Sequence, residues 1–415
     1  MTSARLLLVA PSTSYRVGAY LNAARGIGVC AVVASDGRHS LISSFNQGIH
    51  IDPADVDGTI EVLLAEARIR PFAGVIGTDD GTVEIASRLA RALGLPGNEP
   101  GAAVYTRRKD KARVRLRSGG VSVPRHAVMD IAGIARGNLP DIPFPVVLKP
   151  LAMSGSRGVI RADDGDAFRA AAKRIQGIVG DESDPLERRA ILVERYLPGS
   201  EVALEGMLRN GQLSVLALFD KPDPMEGPFF EETYYVTPSR LPARIQERVV
   251  ATAGKACAVL GLRQGPIHAE LRVDGESAWI LEIAARTIGG QCARMLTFGT
   301  NTGLEALVVA HALDLPVTLD APQGASGVLM IPIPRAGVLR RVEGVLEAQK
   351  VPGIVDVEIS RREGYELVPL PEGSSYLGFI FARADTPADA EIALREAHAR
   401  LNVVIAPAWR IRSTD

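Results

Sequence analysis

One stretch restricts what this chain can fold into more than any other. His268-Ala269-Glu270-Leu271-Arg272-Val273 alternates around apolar residues, and Asp274-Gly275-Glu276-Ser277 follows. Ala278-Trp279-Ile280-Leu281-Glu282-Ile283-Ala284-Ala285-Arg286 then alternates again. Two such flanks around Asp-Gly read as a β-hairpin. A turn centred on Glu276 pairs Glu270 with Glu282. Directly paired residues share a face with Cβ atoms about 4.5–5.5 Å apart, where like charges repel. A cation between them relieves that repulsion, and hard oxygens at this spacing suit Mg²⁺, which keeps its waters and takes only one or two protein carboxylates. Arg286, just past the strand, is a permanent planar cation within reach of a phosphoryl oxygen or an oxyanion. The plainer reading of the hairpin alone is a surface ribbon with its acids in water, so the rest of the chain has to decide.

The chain has 415 residues, 47% hydrophobic and 23% charged, with a net charge of −1. That composition predicts two or three globular domains. So even a balance gives no support to a nucleic-acid or polybasic membrane partner. The apolar run 6–10 is too short for a signal-peptide core, and no run approaches the length of a membrane span. Cys30, Cys257 and Cys292 are far apart and odd in number, which fits a reducing cytoplasm without a disulfide framework.

Residues 1–105 alternate strand and helix, at 5–10, 14–26, 29–34, 60–69, 73–77 and 83–93. The repetition predicts a Rossmann-like parallel sheet with helices on both faces, although Gly18, Gly26 and Gly28 make no GxGxxG. From 106 the character changes. A basic helix opens at Thr106-Arg107-Arg108-Lys109-Asp110-Lys111, and a strand starts at 121–124. Residues 144–150 form an apolar strand carrying Lys149, followed by a small-residue loop at 153–159 and a helix at 166–177. A strand at 191–201 runs into a turn, and 202–208 with 213–219 make a hairpin around Asn210-Gly211. Residues 220–239 read as a long loop rich in proline and acids, the kind of segment that is more often functional than idle. After a helix at 244–261, the hairpin, and a helix at 304–313, residues 322–415 form a small α+β module.

Several of these parts suit a nucleoside triphosphate. Lys111 and Lys149 can clamp phosphate oxygens as point charges. Ser154, Gly155, Ser156 and Gly158 allow backbone N–H groups to approach phosphates. Glu194 can accept from an adenine amine while the backbone of Tyr196 and Leu197 reads the ring edge, and Glu201 can hold ribose hydroxyls. Glu270 and Glu282 complete a metal site. The pattern GxxxxGK[ST] is absent, which excludes a P-loop.

In order and spacing these parts resemble the ATP-grasp superfamily. Asp110-Lys111 with Gly119-Gly120-Val121-Ser122-Val123-Pro124 resembles its first nucleotide lysine and the strand after it. Phe144-Pro145-Val146-Val147-Leu148-Lys149-Pro150 resembles its second lysine strand. Val193-Glu194-Arg195-Tyr196-Leu197-Pro198-Gly199-Ser200-Glu201 resembles its adenine hinge. Glu282-Ile283-Ala284-Ala285-Arg286 resembles its metal hairpin, usually Glu-x-Asn-x-Arg, with Ala284 in place of the asparagine. The resemblance implies an α/β domain at 1–105, an ATP-grasp domain at 106–320 with its lid at 145–205, and an α+β domain at 321–415. The segments Asp220-Lys221-Pro222-Asp223-Pro224 and Arg286-Thr287-Ile288-Gly289-Gly290, with the C-terminal section, are most similar to the L-amino-acid ligase group.

That group implies an ADP-forming ligase using ATP and two Mg²⁺ or Mn²⁺ ions, with a small carboxylate and a small amine, amino acids by the resemblance, as partners. ATP phosphorylates the carboxylate, and the amine then displaces phosphate. Arg286 stabilises the transferring phosphoryl and the later oxyanion. His268 orients the carboxylate or accepts a proton. Glu231 or Glu232 binds an ammonium group, and Gly289-Gly290 allows close approach to substrate. The loops 154–158 and 220–239 are candidate lids. The C-terminal domain either closes over the site or supports a homodimer. Two other readings remain open at this point: activation of formate or bicarbonate, as in purine synthesis or biotin-carboxylase-like chemistry, and a non-catalytic nucleotide-binding module. The few glycines of the 153–159 loop disfavour the biotin-linked form.

Overall fold

Four short apolar runs pair first. Arg5–Val9, Cys30–Ser35, Gly48–His50 and Gly74–Gly77 form a parallel sheet, with 5–9 between 30–35 and 74–77 and with 48–50 on the outer edge. Leu6, Leu7 and Leu8 are fully buried, as a strand covered on both faces must be. The computed structural model describes residues 4–37, 48–298, 302–316 and 324–408. The expected boundary at 320 lies outside the described residues. The first helix runs Val17–Gly26 rather than starting at 14. Ser14 and Arg16 donate instead to Asp79, at 2.6 and 2.7 Å, and such side-chain bonding competes with a helical start.

A second sheet is antiparallel, in the order 126–130, 190–195, 146–150, 160–162, and covers most of the span expected as a lid. The strand expected at 121–124 is not one. Val121 and Val123 are buried against the central core, Pro124 has no N–H to give a ladder, and pairing begins at His126.

The largest sheet has eight antiparallel strands, in the order 277–284, 265–274, 200–209, 212–221, 234–237, 325–331, 378–384, 354–359. One of them corrects the sequence reading. Within the supposed loop 220–239, Tyr234–Thr237 is a strand, paired with Ala325–Ile331 on one side and with Asp220 on the other. Its four residues are aromatic or β-branched, which suits a pleated surface, but prolines and acids on either side hide them. Through this strand the sheet runs without a break into the C-terminal section. A separate three-stranded sheet of 366–367, 337–343 and 402–406 completes that section.

Helix Ala243–Leu260 covers the hairpin, with Val249, Ala253 and Ala256 at zero exposure. Gly261 ends it at φ +83°, a left-handed cap that favours glycine. Among the described residues no helix is long and apolar enough to cross a membrane. Strand 200–209 lies inside the sheet between 265–274 and 212–221, so Leu204, fully buried in this core, is a direct probe of it. Leu204→Ala is expected to lower unfolding free energy by about 2–5 kcal/mol, read as a shift in the urea midpoint.

Candidate functional site

In the hairpin, Gly265–Asp274 pairs with Ser277–Ala284, and Glu270 stands opposite Glu282. The turn is Gly275-Glu276, because Asp274 pairs with Ser277. Uniform pairing from that turn would set Glu270 against Leu281. The register shifts instead, since Leu271 pairs with Ile280 and Leu281 is left as an extra residue. A bulge of this kind re-aims the side chain next to it, and here it brings Glu282 into register with Glu270. The Leu281 carbonyl accepts from Nη2 of Arg113.

Arg113 lies on helix Lys109–Ser118, whose buried residues are Lys109, Ala112, Arg113 and Leu116. That i, i+3, i+4, i+7 spacing is one helical face. Lys111 falls on the other side and is exposed. It does not line the cavity described below, whereas Lys109 does. The Lys109 ammonium lies 3.3 Å from Glu282 and donates to the Met153 carbonyl at 2.6 Å, joining the hairpin to the 153–159 loop. The sequence reading fixed on Lys111, and the helical periodicity of the buried positions is the signal that singles out Lys109.

Glu194 is 2% exposed and already engaged. Arg113 holds one oxygen and the Lys149 ammonium the other, at 2.7 Å. Burial favours its neutral form, but the two cations outweigh burial and bring its pKa down to about 2. The carboxylate therefore sets the position of Lys149 rather than standing open to an adenine amine. Glu201 is similarly occupied, by Lys221 at 2.7 Å and Arg272 at 3.1 Å. The Tyr196 N–H donates to Pro145 at 3.0 Å, which leaves its carbonyl and the Leu197 backbone for a ring edge.

Lys221 is the centre of a second cluster that sequence reasoning missed. Its ammonium lies 2.7 Å from Glu201, 2.9 Å from Glu232 and 3.1 Å from Glu270. Burial and the nearby Glu270 charge raise the Glu232 pKa. Glu232 lines the cavity and Glu231 does not. His268 faces carboxylates with both nitrogens, Glu205 at 3.2 Å and Glu270 at 3.5 Å. Burial alone would lower its pKa, but the two carboxylates raise it to about 9.

Arg286 is clamped by both oxygens of Asp80, each at 3.0 Å. Asp79 and Asp80 come from the turn after Gly74–Gly77 in the N-terminal sheet, so one edge of the site belongs to that domain. Tyr15 adds a tie, its hydroxyl accepting from the Gly290 N–H at 3.0 Å. Gly290 has φ +59° and a Cβ there would collide with the Met330 sulfur; Gly289 also lines the cavity.

These groups surround one cavity of ≈ 640 Å³. Ser154, Gly155 and Ser156 line it, as do Lys149, Glu194, Tyr196, Leu197, Glu201, Glu270, Glu282, His268 and Arg286. Gly158 does not. Its N–H is bound by Pro371 at 2.9 Å. Ser360, Arg361, Ser374, Ser375, Tyr376 and Phe379 close the cavity from the C-terminal section. Glu270 and Glu282 fit a hard divalent cation by their donor chemistry. Each already has an ammonium group beside it, Lys221 and Lys109, as expected where negative charge is concentrated. Ala284, paired with His268, has no side-chain oxygen to add.

A family model for the ATP-grasp domain matches residues 142–295, one for the ATP-grasp N-terminal domain matches 21–97, and one for the L-amino acid ligase C-terminal domain 2 matches 329–406. Carnosine synthase 1 of Mus musculus is 28% identical over 70% of this chain and 38% of its own length. Alanine–anticapsin ligase of Bacillus subtilis is 26% identical over 55% of this chain and 52% of its own length. The chain thus spans about half of one of these relatives and less than two fifths of the other. The fold matches the crystal structure of an L-amino acid ligase from Bacillus licheniformis, with a TM-score of 0.80 and 23% identity over 97% of this chain and 99% of that one.

The two lysines of the basic helix separate cleanly by experiment. Lys109→Ala is expected to lower ATP turnover by about 10²-fold or more, as for loss of a group aimed at developing charge. Lys111→Ala should leave turnover within about 2-fold, as for an exposed lysine on a solvated face. Phosphate release by the two variants is the readout.

Proposed function

We propose, since this chain belongs to the ATP-grasp superfamily, that it is an ATP-dependent ligase joining an amino-acid carboxylate to an amine through an acyl phosphate. The observation that carries this reading is a single cavity that gathers two lysines, a pair of cross-strand carboxylates, Arg286 and side chains of the C-terminal section. We assign Lys109, Lys149 and Glu282 with the 153–156 loop to a triphosphate. Glu232, Gly289 and the C-terminal side chains are assigned to small polar substrates, the amino-acid end; Glu270, which shares the Lys221 ammonium with Glu232, and Arg286 lie where the two meet. The L-amino acid ligase C-terminal domain and the names of the two relatives, a synthase and an alanine ligase, support amino acids as substrates.

In the first step the γ-phosphoryl of ATP passes to a carboxylate oxygen, giving an acyl phosphate and ADP. Such a transfer needs positioning and neutralisation of charge more than covalent help. Lys149, fixed by Glu194, and Lys109, fixed by Glu282 and Met153, provide two cations for the phosphate oxygens. Glu270 and Glu282 would hold Mg²⁺ or Mn²⁺, which supplies further neutralisation on those oxygens. In the second step the amine nitrogen attacks the acyl carbon, phosphate departs with the former carboxylate oxygen, and the nitrogen loses a proton. Arg286 lies where an oxyanion develops, and Asp80 keeps its guanidinium in one orientation. Glu232 offers a carboxylate to a substrate ammonium. His268, with a carboxylate at each nitrogen, orients these groups rather than taking the proton.

The test is phosphate release over pairs of amino acids in the presence of ATP and Mg²⁺, with mass spectrometry of the products. Release that depends on amino acids and yields an amide is expected. Release driven only by formate or bicarbonate with a phosphoribosyl amine would contradict the reading. Glu282→Ala is expected to reduce amino-acid-dependent turnover by about 10²-fold or more, with the urea midpoint little changed because Glu282 is half-buried at the cavity wall. Unchanged turnover in that variant would remove the metal role.

A further inference from the structure

One segment of the C-terminal section both bonds to the 153–159 loop and lines the cavity. Pro371 accepts from the Gly158 N–H at 2.9 Å. The Glu372 carbonyl accepts from Nε of Arg157 at 3.1 Å. The Glu372 carboxylate forms a two-pronged pair with Arg174 of helix Gly165–Ile178, with Nη2–Oε2 at 2.8 Å. All three bonds end on the lid, two of them on the loop whose Ser154, Gly155 and Ser156 line the phosphate end. A few residues further on, Ser374, Ser375 and Tyr376 line the same cavity, with Tyr376 near Glu232.

The segment between is tightly folded. Gly373 donates to the Pro369 carbonyl at 2.8 Å, and a Cβ on Gly373 would strike the Val368 carbonyl. Pro371 and Gly373 are buried. The Tyr376 carbonyl accepts from Nε of Arg361 at 3.3 Å, and Leu377 donates to Ile331 of the large sheet at 2.9 Å. A short, internally bonded turn anchored to the sheet transmits a displacement at one end to the other more faithfully than a flexible loop of the same length.

We propose that residues 368–376 are a strap coupling occupancy of the amino-acid end to the position of the 153–159 loop, with Glu372 as its positioning residue. This rests on the ligase reading. A substrate against Ser374–Tyr376 settles the strap, and the strap settles the loop over the phosphates through Pro371 and Glu372. The consequence is that ATP is held for transfer, and its γ-phosphoryl is shielded from water, when an acceptor is present. Neither the 153–159 loop nor the substrate end needs a direct contact with the other.

The experiment uses the full chain as wild type, Glu372→Ala, Arg174→Ala, and the exchanged pair Arg174→Glu with Glu372→Arg. Amide formed per phosphate released is measured together with KM for ATP and for the amino acids. Both single variants are expected to release phosphate without amide and to raise KM for ATP about 2- to 5-fold, the scale of an exposed ion pair, while the exchanged pair recovers both. A change in melting temperature and kcat with an unaltered amide-to-phosphate ratio and KM for ATP would overturn the strap. Trypsin cleavage after Arg157 supplies a readout that needs no ligation, and Glu372→Ala is expected to be cut faster there than wild type. Equal cleavage rates would also overturn the strap. If wild type makes no amide from any amino acids, the ligase reading falls, while the trypsin comparison still decides whether Glu372 holds the loop.

Discussion

Glu270 and Glu282 face each other across a hairpin, and two carboxylates at cross-strand distance repel. Each carboxylate of the pair is matched by a cation. Lys221 and Lys109 each place an ammonium group against one of the pair. Each lysine then reaches outward, Lys221 to Glu201 and Glu232, and Lys109 to the loop carbonyl of Met153. The pairing itself depends on the bulge at Leu281, and the Leu281 carbonyl is held by Arg113, which also holds Glu194 and through it Lys149. A local irregularity in one strand is therefore linked by direct bonds to Lys149 on the four-stranded sheet.

The same logic explains why three sections of chain meet at one cavity. A buried arginine needs a partner, since an unpaired buried charge is severely destabilising. The partner of Arg286 is Asp80, supplied by the N-terminal sheet. The neighbouring Asp79 binds Arg16 and Ser14, which shortens the first helix and brings Tyr15 to Gly290. On the other side, strand Tyr234–Thr237 joins the central sheet to the C-terminal strands, and so places Tyr376 and Phe379 on the cavity wall. The continuous sheet gives the substrate end a rigid base.

Much of this was legible in the sequence where the signal was local. Alternation around Asp274-Gly275 revealed the hairpin, and Glu270 was matched with Glu282 even though the turn lies between Gly275 and Glu276 and the bulge makes up the difference. The apolar run ending at Lys149 and the small-residue loop after it were equally plain. What escaped depended on partners distant in the chain. Nothing near Asp80 announces Arg286, and nothing near Glu194 announces Arg113. Lys109 is the instructive case, because two lysines two residues apart lie on opposite sides of a helix. The buried positions 112, 113 and 116 show which side faces inward, but in sequence that face is hidden by an arginine that is itself buried.

The account turns on whether the carboxylate is phosphorylated at the end of the cavity where Lys109, Lys149 and the hairpin converge. Labelling the amino-acid carboxylate with oxygen-18 and analysing the released phosphate tests this most directly. An acyl phosphate predicts one labelled oxygen in the phosphate for every amide formed. Amide formation accompanied by unlabelled phosphate would contradict the account.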